Sequence, residues 1–353
     1  MSRALAVAAL VAACLAGSAG AQDSLGDLRV LVIRATWGPT PDNAAALAEA
    51  APFYDRASFG QLRLHVDITP WLAAYSGPVC PSDGEAAKAA ARGAGYEPAA
   101  YARVVYVIPE ERCDFRGVTR GNEILLAVPQ VLVHELGHTF GLDHATSHTC
   151  ARSNCRRIDE YGDPLSPMGH GTLDFSAYEK LKLGWITKVQ RVGGSRTYTV
   201  ADSDTPSTEP QALVVPTNAG EYWIEHRADT PGRLVVRLVQ KRSVYIGAPT
   251  KRFIVKNLFS VTRGFSFRWL DRKPPTQPSV HGLDQTVIWW SRSRDAGSGV
   301  AIYRVTLDGK PLMDTTETRI TLPELQGTHR VAVVALDRAG NRSRPGAVLL
   351  HLG

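Results

Sequence analysis

The run His134-Glu135-Leu136-Gly137-His138-Thr139-Phe140-Gly141-Leu142-Asp143-His144 decides how this chain is read. On a helix, His134 and His138 lie one turn apart on one face, so both rings can reach a single metal at about 2.0–2.1 Å. Glu135 follows the first of them, where its carboxylate can face a water in the open coordination position. Gly141 stands one turn beyond His138 and can end the helix in the left-handed conformation that other residues avoid. The chain then returns, and His144 can close a His₃ site. The chain has 10 His and 31 Gly in 353 residues. At that composition, three His, one Glu and one Gly at these offsets should arise by chance on the order of a few times in a hundred thousand. Two blander readings stand beside the catalytic one: a surface helix that happens to carry histidines, and a degenerate site that has kept its ligands.

Farther along, Tyr161-Gly162-Asp163-Pro164-Leu165-Ser166-Pro167-Met168-Gly169 holds one of only three methionines. The pair of motifs resembles the metzincin clan of zinc endopeptidases, in which H-E-x-x-H-x-x-G-x-x-H is followed by a Met-turn. Within that clan the chain resembles the gametolysin-like family of secreted metallopeptidases. Three pieces carry this: Ala57-Ser58-Phe59-Gly60-Gln61-Leu62 with Trp71 beyond it, the metal and Met-turn motifs, and Phe175 to Ile186 (F-S-A-Y-E-K-L-K-L-G-W-I). The resemblance spans residues 28–230 and says nothing about the last third. It implies an α/β (α+β) zincin-like catalytic domain, one catalytic Zn²⁺ on His134, His138 and His144, Glu135 as general base, and Met168 as an apolar floor that is not a ligand. His170 stands where some metzincins place a tyrosine that assists the metal or the oxyanion; a plain turn histidine is the alternative reading. Gly121-Asn122-Glu123-Ile124-Leu125, just before the metal helix, would be the edge strand that holds extended substrate by strand addition. An interior strand is the equal alternative. Family members commonly carry an inhibitory prosegment; here the first core strand starts within a few residues of the expected cleavage site, and no prosegment cysteine is there to block the metal.

Composition narrows the rest. The chain is 44% hydrophobic and 21% charged, as a globular protein is, and long enough for two or three domains. A net charge of +6 favours anionic partners such as cell-surface or matrix material, but no long basic run or aromatic-basic array points to nucleic acid. Met1-Ser2-Arg3, the apolar Ala4 to Leu15 and Ala19-Gly20-Ala21 read as a secretory signal cut after Ala21. A competing reading takes Val11-Ala12-Ala13-Cys14 as a lipoprotein box. No other apolar run is long enough to span a bilayer. Removing Cys14 leaves Cys80, Cys113, Cys150 and Cys155, an even number that suggests disulfides in an exported chain. Proximity favours Cys80–Cys113 and Cys150–Cys155. A cysteine metal site is the alternative, although no C-x-x-C occurs. Arg152, Arg156 and Arg157 make the loop after His144 basic; it would favour acidic side chains in the substrate or simply be solvated.

Periodicity gives the organisation. Residues 28–37 read as a buried strand, 42–58 as a helix, 61–68 as a strand, 84–93 as a helix, 102–108 and 122–128 as strands, and 128–140 as the metal helix. From about Val189 the pattern becomes short alternating strands. Lys273-Pro274-Pro275-Thr276-Gln277-Pro278 reads as a stiff linker. The strand rhythm beyond it, with Trp290 and Tyr303 as core residues, resembles a fibronectin type III or immunoglobulin-like sandwich of seven strands. The expected domains are therefore a signal at 1–21, a catalytic domain at 22–188, a β-rich module at 189–272 and a β-sandwich at 273–353.

The expected activity is hydrolysis of internal peptide bonds in an extended polypeptide. The rival from another class is a non-catalytic surface-binding or adhesive protein whose β modules do the work and whose metal site is a relic. A His₃ zinc enzyme acting on a non-peptide amide or ester is a third reading. The spacing of Asp159, Glu160 and Asp163 matches no calcium loop, so Ca²⁺ has no support from sequence.

Overall fold

The computed structural model describes residues 24–38, 40, 42–77, 80–108, 113–151, 154–282 and 286–352. The expected signal segment with Cys14, the side chains of Arg152, Arg156 and Arg157, and the expected Cys150–Cys155 pairing lie outside what is described. Two compact units divide the chain. One runs to Leu142 and includes Lys182–Trp185; the other comprises Asp143–Leu181 and everything from Ile186 onward.

In the first unit, β1 (Gly26–Thr36) leads through α1 (Ala44–Ala48) and α2 (Ala50–Ala57) to β2 (Leu62–Ala73). Then come α3 (Glu85–Gly93), β3 (Arg103–Val107), β4 (Gly117–Arg120), β5 (Glu123–Leu126) and α4 (Leu132–Thr139). The five strands form one sheet in the order β2-β1-β3-β5-β4. Every pairing is parallel except β4 with β5. Parallel strands are covered on both faces and so carry continuous apolar runs. Val30, Leu31, Val32 and Ile33 of β1 are all fully buried. On one face Ala87 and Ala91, one turn apart on α3, pack with Leu31, Ile33, Val104 and Tyr106. The helix expected over 42–58 is broken at Glu49. Pro52 has no N–H to donate back to Ala48, and its ring would crowd that carbonyl; it is tolerated only near the start of a new helix.

α2 and α4 are tied together by Tyr54. Its hydroxyl donates to the Val133 carbonyl (2.8 Å), and its ring meets Phe140 and Trp185 edge-on at 5.5 and 6.1 Å. Gln61 Nε2 donates to the Trp185 carbonyl, and Trp185 Nε1 to that of Ser24. Cys80 and Cys113, 33 residues apart in sequence, form a disulfide. β4 and β5 are joined by the two-residue turn Gly121-Asn122, with Arg120 opposite Glu123. β5 therefore has β3 on one side and β4 on the other. This corrects the edge-strand assignment: Gly121 and Asn122 form a turn, Glu123, Ile124 and Leu125 are interior, and β4 is the edge. The hairpin folds back and covers the side of β5 that the linear sequence left open.

The second unit is built on β structure. β6 (Thr146–Ala151) and β7 (Asn154–Asp159) form a hairpin that enters a seven-stranded sheet with Ser243–Gly247, Val235–Val239, Gly220–Glu225, Leu213–Thr217 and Gln190–Arg191. β6 pairs with 243–247 in parallel, Val244 opposite Thr146. A four-stranded sheet from 196–197, 252–255, 259–262 and 266–269 packs on it. Leu213, Val215, Ile224 and Val236 of one sheet meet Phe259, Val261, Phe267 and Trp269 of the other. Residues 280–352 form a separate pair of sheets. One contains the strands at 280–282, 287–290 and 319–321, and the other those at 300–307, 310–315, 327–337 and 346–352. Ile288, Trp290 and Ile320 pack against Tyr303, Val305, Val331 and Val333 between them, which makes a seven-strand β-sandwich.

Candidate metal centre

α4 begins with a 3₁₀ turn at Pro129–Val131 and runs from Leu132 to Thr139, shorter than the 128–140 expected because Pro129 sets the turn. It ends in a Schellman motif. The Leu142 N–H donates to the Gly137 carbonyl and the Gly141 N–H to that of His138, with Gly141 at φ +84°. A side chain at that φ would be strained, so Gly141 is what lets the chain turn back toward His144.

The two helical imidazoles face one another, with 3.1 Å between His134 Nε2 and His138 Nε2. The His138 Nδ1–H donates to the Leu142 carbonyl at 2.8 Å, which leaves Nε2 as its ligand atom. Within this continuous run, His134, His138 and His144 each offer a nitrogen within 4.8 Å of the other two. Two nitrogens on a tetrahedral metal with bonds of about 2.0–2.1 Å stand about 3.3 Å apart, so the observed spacing fits a bound metal. Glu135 is 5% exposed. The Thr119 hydroxyl lies 2.6 Å from its Oε2 and 3.0 Å from its backbone carbonyl.

His144 has a partner that the sequence did not reveal. Glu160 Oε1 accepts from its Nδ1–H at 2.9 Å, and Arg242 also reaches that oxygen. The His144 hydrogen bond is the main reason the Glu160 carboxyl sits below its ordinary value. Carboxylates in this position fix the tautomer and orientation of ligating histidines. The Tyr161 ring lies 4.3 Å from the His144 ring. His170 is exposed, and its Nδ1–H donates to the Tyr161 carbonyl; it does not belong to the histidine group. Asp159, Glu160 and Asp163 form no metal group among the described residues, because Glu160 faces His144 and Asp163 turns inward.

Met168 is fully buried. Its N–H donates to Ser166 Oγ, and its carbonyl accepts from Ala145, the neighbour of His144. Asp163 organises this turn. Its Oδ1 accepts from the Leu165 and Ser166 N–H groups, and its Oδ2 accepts from Arg237 Nε at 2.8 Å. Arg237 also binds Glu225 through Nη1. All three charged side chains are no more than 3% exposed. Burial pushes the Asp163 carboxyl up, but the Arg237 guanidinium and the two amides outweigh it and hold it below 3.8. Ser166 Oγ also donates to Glu179 Oε1. Glu179 in turn makes a capping box with Ser176 at the start of α5 (Ala177–Lys182). Strands 220–225 and 235–239 thus supply the ion pairs that hold the methionine turn.

Comparison with known proteins matches the description gametolysin peptidase M11 to residues 42–224. No curated protein matches. Among solved structures, archaemetzincin from Methanopyrus kandleri is 17% identical, with 45% of this chain and 94% of that one covered and a TM-score of 0.27. The chitinase ChiA74 of Bacillus thuringiensis is 25% identical over 24% of this chain, TM-score 0.21, and this chain spans only 15% of the chitinase's length. Fibronectin(III)-like modules of CbhA from Clostridium thermocellum are 16% identical, covering 23% of this chain and 89% of that one, TM-score 0.17.

Proposed function

Because the chain belongs to the gametolysin peptidase M11 family, whose pattern matches more than half of it, we propose that it is a secreted zinc-dependent endopeptidase. The observation that carries this reading is the group of three imidazole nitrogens within 4.8 Å of one another, in one run with the buried Glu135. Zn²⁺ held by His134, His138 and His144 would polarise the scissile carbonyl and lower the pKa of water toward 7. Glu135 takes the proton of the attacking water and returns it to the leaving amine. Leu142 and Glu160 keep two of the rings in the right tautomer. The substrate backbone adds to the outer edge of β4, one of the two edge strands of the sheet, in the extended conformation that strand addition requires.

The leader-like sequence at 1–21 supports the proposed secretion, and the positive charge favours anionic surroundings. The adhesive alternative retains support from the sandwich at 280–352, which carries no part of the metal site. Elemental analysis of purified protein, with casein or gelatin cleavage measured with and without a chelator, separates the two. We expect about one zinc per chain and chelator-sensitive cleavage. Glu135→Ala should keep the zinc and lose turnover; cleavage surviving in a folded Glu135→Ala protein refutes the mechanism.

A further inference from the structure

The side chain of Glu135 is held from outside its own helix. Gly117 and Thr119 are alternate residues of β4, so they face the same side of the sheet. That side meets α4. The Thr119 Oγ1 distance of 2.6 Å to Glu135 Oε2 is in the range of a charge-assisted O–H···O⁻ bond, whereas the 3.0 Å distance to the carbonyl is not. A hydroxyl has one proton to give, and the shorter contact takes it. Gly117 meets the other half of the carboxylate: a Cβ there would lie 2.6 Å from Glu135 Oε1 and Cγ and 2.7 Å from Cδ. A glycine at 117 and a hydroxyl at 119 therefore form a cradle shaped to this side chain.

We infer that Thr119 is a positioning residue for the general base, fixing the Glu135 carboxylate from the edge strand, and that Gly117 provides the clearance this geometry needs. This rests on the peptidase reading above. A glutamate has three rotatable side-chain bonds, and in an open cleft its carboxylate would sample many placements. Fixing one oxygen removes that freedom before substrate arrives, which is how an aligned base gains rate. The cradle sits on the strand to which we assign the substrate, so the group that orients the base and the substrate's binding edge move as one element.

The test uses the full-length zinc protein and the variants Thr119→Val, Thr119→Ser and Gly117→Ala. Thr119→Val replaces the hydroxyl with a methyl of similar size. It should lower kcat on a quenched-fluorescent peptide by about ten- to a hundredfold, the worth of one hydrogen bond to a charged group. KM and zinc content should stay as they are in the wild type. Thr119→Ser should recover most of the loss, because it restores the donor and not the bulk. Gly117→Ala should lower kcat in the same way, since the carboxylate must shift. Crystal structures of zinc-free wild type, Thr119→Val and Thr119→Ser give a readout independent of turnover: Glu135 should leave its place only in Thr119→Val. Wild-type kcat in Thr119→Val, failure of serine to rescue, or an unmoved Glu135 in the Thr119→Val crystal overturns the inference. If the wild type itself cleaves nothing, the peptidase reading falls, while the crystals still decide whether Thr119 holds Glu135.

Discussion

Replacing Arg237 with methionine would keep most of its volume and remove its charge. The guanidinium lies 2.8 Å from Asp163 and also binds Glu225, and all three side chains are no more than 3% exposed. Without it, two carboxylates remain in a site where water does not solvate them. Removing one partner of a buried pair costs about 3–5 kcal/mol. For a cooperative unit of this size, 1 kcal/mol moves Tm by roughly 2–4 °C, so the expected drop is about 6–20 °C. Arg304 offers an internal control. Its pair with Asp314 is also 2.8 Å long, but the two side chains are 40% and 42% exposed. Arg304→Met, which breaks a pair that solvent screens, should leave the melt close to that of wild type. Both variants are followed by thermal and urea melts read by tryptophan fluorescence and circular dichroism, which also reveal any departure from a single transition. Arg237→Met should in addition weaken zinc binding, because Asp163 shapes the turn that is hydrogen-bonded to Ala145 beside His144. Equal, small costs for the two variants would refute the assignment of the methionine turn's stability to this ion-pair network.

Three further outcomes are expected. Glu160→Ala should weaken zinc binding by about tenfold, the low end for a carboxylate behind a ligating histidine, because its side chain is half exposed; chelator competition measures it, and unchanged affinity would mean that His144 needs no such support. Serine at Cys80 or Cys113 opens a loop of 33 residues and should cost about 3–4 kcal/mol, seen as a lower urea midpoint without reductant and a gap that closes once reductant opens the wild-type disulfide; a midpoint equal to wild type without reductant contradicts it. The Asp163 carboxyl is held below 3.8, so its contribution is fully present above that pH and is lost as pH falls through the folded value. Wild type should therefore lose stability faster than Arg237→Met below about pH 4; parallel acid melts would contradict the sign.

How much of this was legible in the sequence depends on the range of each contact. The ligand run is local: helix periodicity aligned His134 with His138, and Gly141 marked the point of return. β1 was legible because a central parallel strand announces itself as an unbroken apolar run. The hidden features pair residues far apart. Thr119 reaches Glu135 across 16 positions, Glu160 reaches His144 across 16, and Arg237 reaches Asp163 across 74. No periodicity encodes such pairings. The hairpin that makes β4 the edge did leave a signal, since Gly121-Asn122 between two short runs is a two-residue turn; the four-residue run before it was too short to stand out. The strands after Val189 were visible as strands, but the enrolment of 146–159 in their sheet was not, because β6 meets its partner at a separation of 98 residues, Thr146 opposite Val244.

That parallel pairing also sets an order of events. A ribosome releases the chain from its N-terminus, so the three histidines emerge about a hundred residues before Ser243–Gly247. Until that later stretch is out, β6 has no neighbour on its inner side, and the segment just past His144 lacks the partner that fixes it. Arg237, which neutralises Asp163, arrives equally late. The nascent protein thus holds all the ligands of its metal long before it holds the scaffold that secures the last of them, and the finished centre waits for residues 237–247 to follow.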